Sequence, residues 1–238
     1  MKPAYQVITR EIPSKGIAYL LLKRCKPGQE EAVLTQAAAY ALEQGAAQIL
    51  AACVDPALSL KEGQLGRFHL EHVHDMLVLE RDLTEPITAS GRLVLTPLER
   101  SRGGMWLALY NAGFFSVPNA ATYDTGDLEE LLSRGDKCGF ALLDGVAVGI
   151  YELNLSLAPP EIAGIALHQN FRGRGLGREL LNLLMMELQQ AGYARCQLLV
   201  STANQQAWTL YRTAGFRQAA VKSRWYRVLP AQVSERPL

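Results

Sequence analysis

Two rhythms of hydrophobic and polar positions run along the chain. Residues 16–25, GIAYLLLKRC, are a nearly unbroken apolar run of strand length, and residues 28–45, GQEEAVLTQAAAYALEQG, place apolar side chains at helical spacing. Residues 46–54 predict another buried strand, and residues 68–83, FHLEHVHDMLVLERDL, alternate as a half-buried strand does. After a linker-like stretch at 84–91, a second series begins. It predicts a strand at 92–98, a helix at 101–115, a loop at 117–126 and a short helix at 127–135 that stops at Gly135. Residues 138–155 read as a hairpin turning at Asp144-Gly145, and residues 161–167, EIAGIAL, as a strand. A long helix then runs to about Gly192, followed by a strand at 195–202, a helix at 204–215 and a strand at 216–229.

Strands and helices in this mixture predict an α/β chain with a mixed sheet. The 238 residues leave room for two regions, and the linker places the boundary so that residues 1–88 form an N-terminal αβ region and residues 89–238 the main domain. Residues 42–54, LEQGAAQILAACV, lie over residues 188–200, LQQAGYARCQLLV, so the front of the chain reads as a degenerate copy of the later αβ unit.

Charge removes several classes of function. A net charge of +1 gives no general surface for polyanions, so nucleic acid is not the expected partner. The first residues lack a secretory pattern and no apolar run approaches a membrane span, which leads to the expectation of a cytoplasmic protein with no membrane partner. Cys25, Cys53, Cys138 and Cys196 are widely separated and sit in or beside apolar runs, as buried thiols do. His69, His72, His74 and Asp75 gather in one strand without matching ligands elsewhere, so no metal is expected.

One stretch carries chemistry. In residues 168–181, HQNFRGRGLGRELL, glycines at 173, 175 and 177 leave bare backbone where a helix begins. The amides of a helix's first turn have no internal partner and lie at the positive end of its dipole. Arg172, Arg174 and Arg178 add charge at the rim, and the whole predicts a diphosphate site. The dinucleotide fingerprint does not fit: the third glycine comes one place early, and the region about 20 residues on offers Arg195 in place of an acid. The lysine-serine/threonine ending of a P-loop is absent too.

These residues resemble the GNAT superfamily of acetyl-CoA-dependent N-acetyltransferases. Its R/Q-x-x-G-x-G/A pattern is met by Arg172, Gly173, Arg174, Gly175, Leu176 and Gly177, after a lead-in of His168, Gln169, Asn170 and Phe171. A second motif is similar to Asn204, Ala207, Leu210, Tyr211, Ala214, Gly215 and Phe216. The resemblance covers roughly residues 91 to 230 and implies a GNAT fold with a smaller N-terminal half-domain.

The resemblance also implies a site. Acetyl-CoA would lie between two splayed strands, its pantetheine arm bonded to the backbones of Ile165 and Leu167 and reached by Asn204, its diphosphate held by the amides from Arg172 to Arg178. Tyr211 would protonate the departing thiolate and Glu161, at the start of the strand, would be the base, while the Leu167 amide polarises the thioester carbonyl. Tyr123 and Asp124, with Asp127, lie in the loop where relatives build the acceptor pocket, and carboxylates there suit a cationic amine. The reaction expected is direct transfer of acetyl to a primary amine of a small molecule or peptide. Two alternatives remain: a non-catalytic module that holds acetyl-CoA and acts through a protein partner, and a homodimer surface as the role of the first 88 residues.

Overall fold

The computed structural model describes residues 4–23, 26, 28–54 and 60–231; Cys25 and Pro27 lie outside these. The chain divides into two compact units, residues 1–76 with 221–238 and residues 77–220. The linker-like stretch at 84–91 instead places a boundary at 88/89. The two divisions differ because the strand at 68–82 and the last strand each contribute residues to both units.

The first unit contains β1 (Tyr5–Ile8), the short α1 (Ile12–Lys15), β2 (Ile17–Leu22), α2 (Glu30–Glu43), β3 (Gln48–Cys53), β4 (Gly63–Leu65), the first half of β5 (Phe68–Asp82) and the later part of β11 (Arg217–Pro230). β1 and β2 are antiparallel, β2 and β3 parallel, and β3 and β11 antiparallel. The alanines of α2 face inward: Ala37, Ala38 and Ala41 are buried with Leu34 against Leu20, Leu22 and Ile49. Small side chains there let the helix lie close to the sheet. β1, α1 and β4 have no strong periodic signal, since each is four residues or fewer.

The second unit holds the rest: β6 (Leu93–Pro97), α3 (Gly103–Phe114), α4 (Thr125–Ser133), β7 (Lys137–Leu143), β8 (Val146–Asn154), β9 (Glu161–Leu167), α5 (Leu176–Gln190), β10 (Arg195–Ser201) and α6 (Gln205–Thr213). Its strands run in the order β5, β10, β9, β8, β7, β6. The β7–β8 turn has Asp144 at φ 50° and Gly145 at φ 80°, the left-handed pair that an Asp-Gly hairpin turn requires. Helices cover both faces of this sheet. α3 and α4 pack Trp106, Leu107, Leu128 and Leu131 on Phe140, Ile150 and Ala166, whereas α5 packs Leu180, Leu184 and Leu188 on Leu79, Leu153, Ile162 and Leu198. Cys138 and Cys196 are buried as expected; Cys53 is only half-buried. His72 is bonded to Asp75, and among the described residues no cluster of three or more potential metal ligands occurs. No described helix is long and apolar enough to cross a membrane.

Candidate functional site

The site begins where two strands part. β8 and β9 pair from Asn154↔Glu161 to Gly149↔Leu167, with a bulge between Glu152 and Leu153. The parallel pair β9 and β10 meets at Gln197↔Glu161, where Gln197 N also donates to Pro160 O at 2.9 Å. Beyond that point β9 has β8 on one side and a gap on the other. The His168 amide donates to Val148 of β8, so strand alternation turns the peptide groups of Leu167 and Ile165 toward the gap. The Leu167 carbonyl there accepts from Arg172 Nε at 3.0 Å, and its amide is the other peptide group on the gap side.

The chain leaves β9 through a single 3-10 turn, Gln169–Phe171, capped by His168, whose Nδ1 accepts from Asn170 N. Gly173 and Gly175 then take φ values of 73° and 77°, and Gly175 is the N-cap of α5. Two left-handed residues so close to a helix start gather backbone N–H groups into an anion-binding concavity. A Cβ on Gly173 would meet nothing within 4 Å, so the surface it leaves bare is open; one on Gly175 would stand 3.4 Å from an Arg92 nitrogen. Arg172 and Arg174 are exposed, and Arg174 lies over the Phe171 ring at 5.6 Å. Arg178 turns to α6, where it donates to Thr213 Oγ1; desolvation and the nearby Arg81 charge lower its pKa.

Two residues of this site carry no local signal in the sequence. Arg92 Nη1 donates to the Arg174 carbonyl at 3.2 Å from a loop 82 positions upstream. Glu179, on the first turn of α5, accepts from Ser90 N at 2.8 Å, Ser90 Oγ at 2.5 Å and Arg92 N at 3.2 Å. Burial alone would raise its pKa; the bonds from Ser90, Gly91 and Arg92 outweigh that and hold it below the ordinary range.

On the far side of the gap, Asn204 caps α6 by accepting from Ala207 N at 3.2 Å. Tyr211, half-buried, packs against the core that includes residues of α5 and β10 and lies 6.0 Å from the Phe216 ring. Desolvation pushes its hydroxyl up to about 12, so it keeps its proton at neutral pH.

The α3 and α4 face of the same strands is aromatic and acidic. Tyr123 stacks on Tyr110 at 4.1 Å, and Asn111 holds it by bonding both its amide and its carbonyl at 2.8 Å. Asp124 and Asp127 cap the start of α4 reciprocally, at 3.0 and 2.8 Å, so the Asp124 carboxylate serves the helix. Glu161, half-exposed, opens β9. Two residues along from Ile150 on β8, and on the same face, Glu152 is buried to 4% exposure. Desolvation, with the charge of Asp136 and a smaller contribution from Glu161, pushes its carboxyl up to about 7 against an opposing effect of Arg134. Pattern reading misses Glu152 because it sits in an apolar strand with no motif around it.

Residues 104–216 match the family described as "Acetyltransferase (GNAT) family". The chain carries a GNAT acetyltransferase domain. Among curated relatives, a mycothiol acetyltransferase of Clavibacter sepedonicus is 27% identical over 66% of this chain and 56% of its own length. The [ribosomal protein bS18]-alanine N-acetyltransferase of Escherichia coli K12 is 37% identical over 26% of this chain and 42% of its own. The chain therefore spans about half the length of the curated relatives it matches. A GCN5-related N-acetyltransferase structure from Sphaerobacter thermophilus superposes with TM-score 0.61 over 96% of this chain and 77% of that one, at 16% identity. That likeness is one of fold. Within the GNAT domain lie the glycine turn, the β9–β10 gap and the acidic face described above.

Proposed function

We propose that the protein transfers an acetyl group from acetyl-CoA to a primary amine of a small molecule or peptide by direct attack. The observation that carries this reading is the pair of left-handed glycines, Gly173 and Gly175, opening α5 beside the unpaired edge of β9. The first-turn amides and the guanidinium groups of Arg172, Arg174 and Arg92 suit a diphosphate. The β9–β10 gap suits an extended arm that completes the β9 edge, with the Ile165 and Leu167 backbones on one side and Asn204 on the other.

The chemistry follows from the groups at hand. A primary amine at neutral pH is protonated in all but about one part in a thousand, so a base must act. Glu161 takes that proton and releases it to solvent. The neutral nitrogen attacks the thioester carbonyl, whose oxygen the Leu167 amide stabilises. As the carbon–sulfur bond breaks, Tyr211 protonates sulfur, and the second nitrogen proton returns to the Tyr211 phenolate. Tyr123 lines the acceptor side. No thiol intermediate is invoked, since Cys138 and Cys196 are buried with thiols pushed up to about 12.

The test is calorimetry with coenzyme A, followed by thiol release from acetyl-CoA with a panel of amines. Tyr211→Phe should leave coenzyme A affinity unchanged and lower kcat about a hundredfold or more. Unchanged turnover in that variant would remove Tyr211 as the acid, and no heat with coenzyme A would remove the whole reading.

A further inference from the structure

The most unusual group in the GNAT domain is Glu152. Its residue is 4% exposed, and burial and neighbouring charges, not a hydrogen bond, govern its carboxyl. Buried carboxylates are ordinarily bonded or paired, because burial without a partner is costly. The charges around it do not supply that partner. The charges that act on it are those of Asp136, just before β7, Glu161 at the start of β9, and Arg134 at the C-cap of α4. Arg134 is itself engaged, with Nε 3.2 Å from Asp136 and Nη1 3.6 Å from Glu130. The neighbourhood thus holds more negative charge than its cation balances, next to the stacked rings of Tyr110 and Tyr123.

The location matters as much as the charge. Glu152 pairs with Gly164 across β8 and β9, and a Cβ at position 164 would come within 3.3 Å of the Glu152 Cβ and 3.5 Å of its Oε2. The missing side chain at Gly164 lets the carboxylate lie along β9. Gly164 immediately precedes Ile165, whose peptide faces the gap. A nitrogen held by Glu152 would therefore sit beside the part of β9 proposed to carry the thioester.

We propose that Glu152 binds the ammonium group of the acceptor, so that the acceptor class is a cationic primary amine seated between Glu152, Glu161 and the Tyr110–Tyr123 pair. This rests on the acetyl-transfer reading above. Glu152 holds the amine while Glu161 takes its proton, and no step of the transfer changes. An ammonium supplies the missing counter-charge and up to three donors, and tyrosine faces attract cations.

The experiment uses the full chain saturated with coenzyme A, titrated calorimetrically with n-butylammonium chloride and, in parallel, butan-1-ol. At about pH 6, titrations in two buffers of different ionisation enthalpy count protons, since binding a cation to a carboxyl that ionises at about 7 must release one. The wild type should bind the ammonium in preference to the alcohol and release a proton. Glu152→Gln should bind it about tenfold or more weakly with no proton release, at unchanged coenzyme A affinity. Glu152→Asp should recover part of the preference. Equal binding of ammonium and alcohol by the wild type, or equal ammonium binding by Glu152→Gln, would overturn the proposal while leaving acetyl transfer intact. Failure of coenzyme A to bind the wild type would instead sink the reading beneath it.

Discussion

At the scale of single residues, backbone conformation and burial set what each group can do. Gly175 sits at φ 77°, where a side chain costs about 1–2 kcal/mol, and Gly173 at φ 73° leaves its surface bare. Gly175→Ala should lower the melting temperature and weaken coenzyme A binding together. Glu152 makes a prediction about pH. Its carboxyl titrates at about 7 when folded against an ordinary 4.5, so the folded state binds the proton more tightly. The neutral carboxyl's contribution is whole below about 4.5 and is lost as pH rises through about 7, a difference on the order of 3 kcal/mol. Denaturant titrations across that window should show Glu152→Gln losing less stability than the wild type; parallel curves would mean the carboxylate finds a partner in solution. Glu152 illustrates a residue that the sequence conceals: its strand reads as core, and only the neighbours at 136, 161 and 164 make it unusual.

At the scale of elements, the phosphate turn is held from outside itself. Glu179 ties the first turn of α5 to Ser90 and Arg92, and Arg92 returns to the Arg174 carbonyl. Because its folded pKa is depressed, Glu179 contributes stability above its ordinary 4.5 that is lost as pH falls below it. Glu179→Ala should loosen the loop at 88–92, which carries Arg92, and weaken coenzyme A binding. Unchanged affinity would show that the turn is preorganised by its glycines alone. The start of α4 offers a second check. Asp124 caps it, and Asp124→Ala should cost about 1 kcal/mol of stability. The helices, the hairpin and β9 were readable from periodicity and turn residues, and the structure places them close to the expected positions. The reach from residue 92 to residue 174 was not readable, since nothing local to either position encodes it.

At the scale of the whole molecule, the two compact units share β5 and β11 by sequence range. Leu77, Leu79, Leu83 and Ile87 belong to the same core cluster as Leu180 and Leu198. A fragment of residues 89–238 lacks all four. Losing buried leucines costs about 2–5 kcal/mol each when they are cut to alanine, comparable in sum to the stability of a whole domain. The fragment should therefore show no cooperative unfolding transition, whereas the full chain should show one that coenzyme A moves upward. A sharp transition in the fragment would mean that β5 is dispensable to the GNAT domain.

What the sequence determined by itself was local: which stretches are helix or strand, where the Asp-Gly turn lies, and that glycines and arginines at 172–178 open a helix as an anion site. Those outcomes depend on side-chain period and backbone freedom, which neighbouring residues encode. Tertiary structure decided what depends on distance across the chain. It parted β9 from β10 beyond Gln197, brought Arg92 and Ser90 to the start of α5, and buried Glu152 against Gly164. Charge acts through space and burial through packing, so the ionisation of a carboxylate in an apolar strand is settled only when the strands beside it are in place.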